Sequence, residues 1–81
     1  MRRLLVGEAQ CRASKARYYL LEEDAENPGA YGVQIELDGE EASVPDLSSS
    51  RQRVLELADT LVRGVVTPVG LRDVVDDWLL E

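Results

Sequence analysis

Hydrophobic and polar residues alternate most cleanly over Tyr31-Gly32-Val33-Gln34-Ile35-Glu36-Leu37-Asp38-Gly39. Successive side chains of a strand point to opposite faces, so Tyr31, Val33, Ile35 and Leu37 share one face and Gly32, Gln34, Glu36 and Asp38 the other. The pattern predicts a half-buried antiparallel strand that ends in a turn at Asp38-Gly39. Upstream, residues 3–12 and 16–23 read as two strands joined at hairpin length near Arg12-Ala13-Ser14-Lys15. Their faces are ambiguous. Leu4, Val6 and Glu8 compete with Leu5, Gly7, Ala9 and Cys11; Ala16, Tyr18 and Leu20 compete with Arg17, Tyr19 and Leu21. Downstream, residues 40–44 form a short fourth strand that Pro45 stops, and the proline and charges there suit a sheet edge.

After the serine run Ser48-Ser49-Ser50 the period changes. Residues 49–63 carry an apolar stripe of Val54, Leu57, Ala58, Leu61 and Val62, with Leu55 at its margin, opposite Arg53, Glu56, Asp59 and Arg63. Ser49 followed by Gln52 fits a capping box, although any of the three serines can serve as the cap. Gly64 suits the left-handed residue that stops the helix, and Thr67-Pro68 the cap and first residue of the next. In that second helix, residues 68–80, Leu71, Val74, Val75, Trp78 and Leu79 form the dry stripe and Arg72, Asp73, Asp76 and Asp77 the wet one.

These elements predict an α+β fold within a single domain, residues 1–81: an antiparallel β-meander of three to four strands followed by two amphipathic helices packed on one face. Helices on one side leave the other side of the first two strands without a cover, yet both of their faces carry apolar residues. Leu4, Val6, Tyr18 and Leu20, or their opposite-face neighbours, therefore form the candidate partner surface. The expected role is a small non-catalytic protein-interaction module that self-associates as a homodimer. This expectation fails if the second face proves polar or covered within one chain.

Composition narrows the chemistry. With 81 residues there is room for one core, and without phenylalanine that core is aliphatic apart from Tyr18, Tyr19, Tyr31 and Trp78. No histidine is present, which removes the commonest general base and zinc ligand together. The one cysteine, Cys11, cannot close an intrachain disulfide, so a cytoplasmic setting is expected and the thiol reads as a small buried hydrophobe. The apolar run Leu4-Leu5-Val6 ends at Gly7-Glu8, far short of a signal-peptide core or a membrane span. No catalytic residue, cofactor or metal ligand set emerges. The carboxylates of residues 22–26 miss the spacing of a calcium loop, and the turn expected at Pro28-Gly29 separates strands. Asp73, Asp76 and Asp77 read as a solvated helix face, so the chain is not expected to be an enzyme.

Charge supplies the alternative. The net charge of -7 conceals +4 over residues 1–17 and -11 over residues 18–81. Arg12, Lys15, Arg17 and Tyr19, with Tyr18 beside them, therefore define a candidate anion patch for nucleic acid or another anion. The second helix argues against a DNA-reading helix-turn-helix, because residues 68–81 carry one arginine against four acids. Nucleic acid is accordingly the weaker expectation.

Tyr31-Gly32 at the start of the central strand, Asp46-Leu47-Ser48 before the first helix, and Thr67-Pro68 followed by Leu71, Asp73-Val74-Val75 and Asp77 resemble a family of short bacterial domains of unknown function. The resemblance spans about residues 14 to 79. Its motifs are structural, so it implies a bacterial cytoplasmic origin and no site residue.

Overall fold

The computed structural model describes residues 2–22 and 30–80, so the acidic loop and its Pro28-Gly29 turn lie outside the described residues. Strands β1 (Arg2–Cys11), β2 (Ser14–Glu22), β3 (Tyr31–Leu37) and β4 (Glu40–Ser48) form one antiparallel sheet in chain order. Helix α1 (Arg51–Arg63) follows, then a single 3-10 turn (Pro68–Gly70) that leads into α2 (Leu71–Leu79). The expected α+β meander with two helices on one face is the fold of the chain.

The strand alternation resolves the core. Ala16, Tyr18 and Leu20 of β2 and Val33 and Ile35 of β3 are fully buried with Val54, Leu57, Ala58 and Leu61 of α1 and Leu71 and Val75 of α2. Tyr31 and Leu37 pack at the margin of the same cluster, as their phase along β3 requires. Tyr18 stands opposite Gly7 on one side and Ile35 on the other, and Leu20 stands between Leu4 and Val33. Burying each of these aliphatic side chains contributes about 1.5–3 kcal/mol.

Tyr18 also joins the layers. Its ring is buried, and its hydroxyl donates to the Val66 carbonyl at 2.8 Å, in the link between α1 and α2. Burial, and secondarily the nearby Cys11, pushes the phenol above its usual value.

β4 extends beyond the expected stop at Pro45. Val33 pairs with Val44 and Tyr31 with Ser48, so Gly32 alone faces the three residues Pro45, Asp46 and Leu47. This bulge accommodates the proline's missing donor and contains Asp46 at φ 56°. A side chain on Gly32 would strike the Val44 carbonyl and approach Pro45 Cα to 2.6 Å, which is why the central strand has glycine there. The neighbouring turn is as expected, with Asp38 and Gly39 both at positive φ.

The helix termini differ from expectation in detail. Ser50 caps α1: its Oγ accepts from the Arg53 amide at 3.3 Å, while Gln52 reaches Glu56 rather than closing a box with Ser49. At the other end Gly64 is right-handed (φ -86°), and Val65 takes the left-handed position (φ 49°). The Val65 amide bonds to Val62 O at 3.2 Å and the Val66 amide to Leu61 O at 3.1 Å, the pairing of a Schellman stop displaced by one residue. Thr67 precedes the 3-10 turn in extended conformation without a side-chain cap, Pro68 is its first residue, and α2 proper starts at Leu71. Leu79, expected in the dry stripe, is 56% exposed because α2 ends there.

Three changes in stability follow, each read from the midpoint of urea unfolding. Tyr18→Phe removes one hydrogen bond and is expected to cost about 1 kcal/mol at neutral pH. The folded state keeps the Tyr18 proton where the unfolded chain releases it, so this contribution is intact below about pH 10 and lost as pH rises above it. Tyr18→Phe should therefore also flatten the alkaline decline, and identical declines in both proteins would contradict the assignment. Gly32→Ala should destabilise by about 1–3 kcal/mol, since backbone rather than a flexible side chain must yield. Val65→Gly should stabilise by up to about 1 kcal/mol by relieving a β-branched residue of a left-handed backbone.

Candidate functional site

The hairpin of β1 and β2 holds the residues of both candidate surfaces, with Arg12 in its turn, and the structure divides them among three environments. Tyr18 and Leu20 are 0% exposed beneath the helices and belong to the core, so neither can line a partner surface. Val6 packs against the same core in part. Leu4, their neighbour on that face, lies beyond the helices and is 44% exposed. Of the expected apolar surface, one residue remains available.

The opposite face is charged rather than apolar. Arg3 and Leu5 of β1 stand beside Leu21 and Tyr19 of β2, and Glu8 beside Arg17. Arg17 reaches Glu8 at 3.2 Å and Glu36 at 3.9 Å, and Arg3 reaches the other oxygen of Glu36 at 3.5 Å. Arg3 also lies over the Tyr19 ring, 4.4 Å from its centroid. Gln34 continues the lattice to Glu41 at 3.1 Å. The condition set for self-association through a second apolar face is thus not met, because Glu8 of β1 and Glu36 of β3 supply carboxylates to Arg3 and Arg17. Leu21, 6% exposed, is the buried apolar residue on this side.

The same lattice disperses the anion patch. Hydrogen bonding to Glu8, with the charges of Tyr19 and Glu8 behind it, holds the Arg17 guanidinium above its usual range; the cation is already ion-paired within the sheet. Tyr19 is covered by Arg3. Lys15 stands opposite Gln10 on an exposed stretch, and Arg12 sits at the tip of the first hairpin at φ 58°. At that tip Ser14 donates to Asp38 at 2.5 Å, tying the two turns of the sheet together. Cys11, Arg12, Ser14, Leu37, Asp38 and Thr67 line a cavity of about 510 Å³ there. Arg12, Lys15, Arg17 and Tyr19 therefore do not converge on one ligand.

What stays open is an edge. β1 pairs on one side only, with β2, and its first four residues are exposed. Leu5, 53% exposed beside Leu4, is one of the opposite-face neighbours offered as the alternative surface. Its signal was the uninterrupted run Leu4-Leu5-Val6, which no single-faced strand explains. At the other edge β4 carries Pro45 and the left-handed Asp46.

The acids of α2 stay in solvent: Asp73, Asp76 and Asp77 are exposed, and Asp76 forms an ion pair with Arg72 at 3.7 Å. Among the described residues no three Cys, Asp or Glu side chains gather as a metal site, and no helix is long and apolar enough to cross a membrane.

No curated protein and no solved structure matches the chain. A family model does match, over residues 3–81, so that nearly the whole domain is covered. The chain belongs to the family described as "Family of unknown function (DUF6514)".

Proposed function

We propose that this domain is a non-catalytic protein-interaction module of the bacterial cytoplasm, and that it self-associates by pairing the β1 edge of one copy with that of another. The observation that carries the reading is the state of that edge. Ten residues of strand offer their outer backbone groups with Leu4 and Leu5 exposed beside them. An open edge of this kind is a template for strand addition.

Natural edges are commonly protected by charge, and Arg2 and Arg3 stand where such protection would act. Both are turned back into their own sheet. Arg2 reaches Glu22 at 3.2 Å and Arg3 reaches Glu36 at 3.5 Å, so the edge is left with little net repulsion toward a second strand. Antiparallel pairing centred on Leu5 would bring Leu5 beside its symmetry mate and Leu4 beside Val6 of the other copy. A two-fold arrangement of this kind closes on itself, giving a dimer with one continuous sheet.

The non-catalytic part of the reading is supported by where the carboxylates lie. Acid–base chemistry relies on environments that push titrating groups apart, and Asp73, Asp76 and Asp77 face solvent. The cytoplasmic setting is supported by the lone free Cys11.

Light scattering over a concentration series tests the proposal. The mass should rise from 9.0 kDa toward twice that value. The Leu4→Lys/Leu5→Lys double variant alters surface positions, so it should keep its fold at a cost of about 1 kcal/mol or less while remaining a monomer. A wild-type mass fixed at that of the monomer, or a double variant that still dimerises as well as wild type, would overturn the reading.

A further inference from the structure

The helical layer carries a second surface that does not involve β1. In α2 the buried residues Leu71 and Val75 fix the face turned to the sheet, which places Val74 and Trp78, one turn apart, at its flank. There, with Leu57 and Thr60 of α1, they line a groove of about 300 Å³. Glu56 from α1 and Asp77 from α2 complete its walls. Trp78 is only half-buried, and Arg53 lies over its ring at 5.1 Å. Past Trp78, at the end of α2, Leu79 and Leu80 are 56% and 84% exposed.

Charge separates this groove from an ordinary seam between helices. Three arginines of the helical layer are engaged elsewhere, Arg63 with Asp59 at 2.7 Å, Arg72 with Asp76 at 3.7 Å and Arg51 with Glu22 at 3.4 Å, while Arg53 lies at the groove over the Trp78 ring. Among the described residues no ion pair engages Glu56, Asp73 or Asp77. The groove therefore sets Leu57, Val74 and Trp78 between two carboxylates without an ion pair, against the single cation of Arg53. Its volume suits one or two anchoring side chains rather than the girth of a helix.

We propose that this groove docks a basic amphipathic helix of a protein partner. Apolar side chains of that helix fill the space over Leu57, Val74 and Trp78, and lysine or arginine side chains on its flanks meet Glu56 and Asp77. The chemistry is that of helix-in-groove recognition, with the apolar anchors supplying affinity and the acids selecting a basic partner over an acidic one.

Trp78 is the chain's one tryptophan and reports directly on the groove. The probe is a synthetic peptide of about four helical turns, free of Trp and Tyr, with leucine at i, i+3, i+4 and i+7 and lysine elsewhere. A second peptide replaces every lysine by glutamate. The lysine peptide should change Trp78 emission saturably, with an affinity that falls as salt rises, and the glutamate peptide should not bind. Glu56→Gln/Asp77→Asn should weaken binding about tenfold, the combined effect expected of losing two partly exposed charge pairs. Asp59→Asn/Asp76→Asn removes the same charge outside the groove and should leave the affinity within about twofold. An unchanged Trp78 signal, equal binding of both peptides, or equal weakening in both double variants would overturn the proposal. The Leu4→Lys/Leu5→Lys chain should bind the peptide as wild type does, which separates this result from that of self-association.

Discussion

The hydroxyl of Tyr18 is the point at which sheet, helix stop and helical hairpin are held in one geometry. Its ring fills the centre of the core from the second strand, and its O–H ends on the Val66 carbonyl immediately after the Schellman bonds that terminate α1. A buried phenol without that acceptor would forfeit a hydrogen bond in a low-dielectric interior, at a cost of about 1–3 kcal/mol. The direction in which the chain leaves α1 is therefore coupled to the sheet, and with it the placement of α2 and the groove beside Trp78. Val65 bears the backbone strain of this junction, adopting a left-handed conformation that glycine takes without penalty.

Closing one face of a four-stranded sheet with two helices leaves the other to the strands themselves. Here the solution is charge. Arg3 and Arg17 share the carboxylate of Glu36, and Arg3 shields the ring of Tyr19. Exposed pairs of this kind contribute little individually. Their effect is to make the face compatible with water while drawing the cations of β1 away from its edge. The two edges end up unlike each other: β4 is bent by the bulge at Gly32 and interrupted by proline, whereas β1 is long and apolar over Leu4 and Leu5. The asymmetry between edges, more than either face, distinguishes the surface of this fold.

Much of the architecture was legible in the sequence because β3 and α1 each present one dry side. Alternation over Tyr31–Leu37 identified the core face, and Val54, Leu57, Ala58 and Leu61 identified the helix face. The faces of β1 and β2 were not legible. A bulge between Leu5 and Gly7 breaks the period of two, and the arginines that make the second face polar share Glu36 on a strand more distant in sequence. Leu5 and Trp78 illustrate the same difficulty. Each satisfies a local hydrophobic pattern, yet one faces solvent because it lies at a sheet edge and the other is half-buried because it lines an open groove between the two helices. Pro45 was read as a terminator on sound local grounds, and only the glycine opposite it on β3 allows the strand to continue.

The central claim is that β1, unlike β4, presents an edge competent to pair. Amide hydrogen exchange resolved by residue tests it most directly, because an edge that pairs with a second copy protects outward-facing amides that one chain leaves to water. On raising the protein concentration, alternate amides within Arg2–Cys11 should gain protection while those of Glu40–Ser48 do not change. Exchange from β1 that is independent of concentration, or protection that appears on β4 instead, would contradict the account.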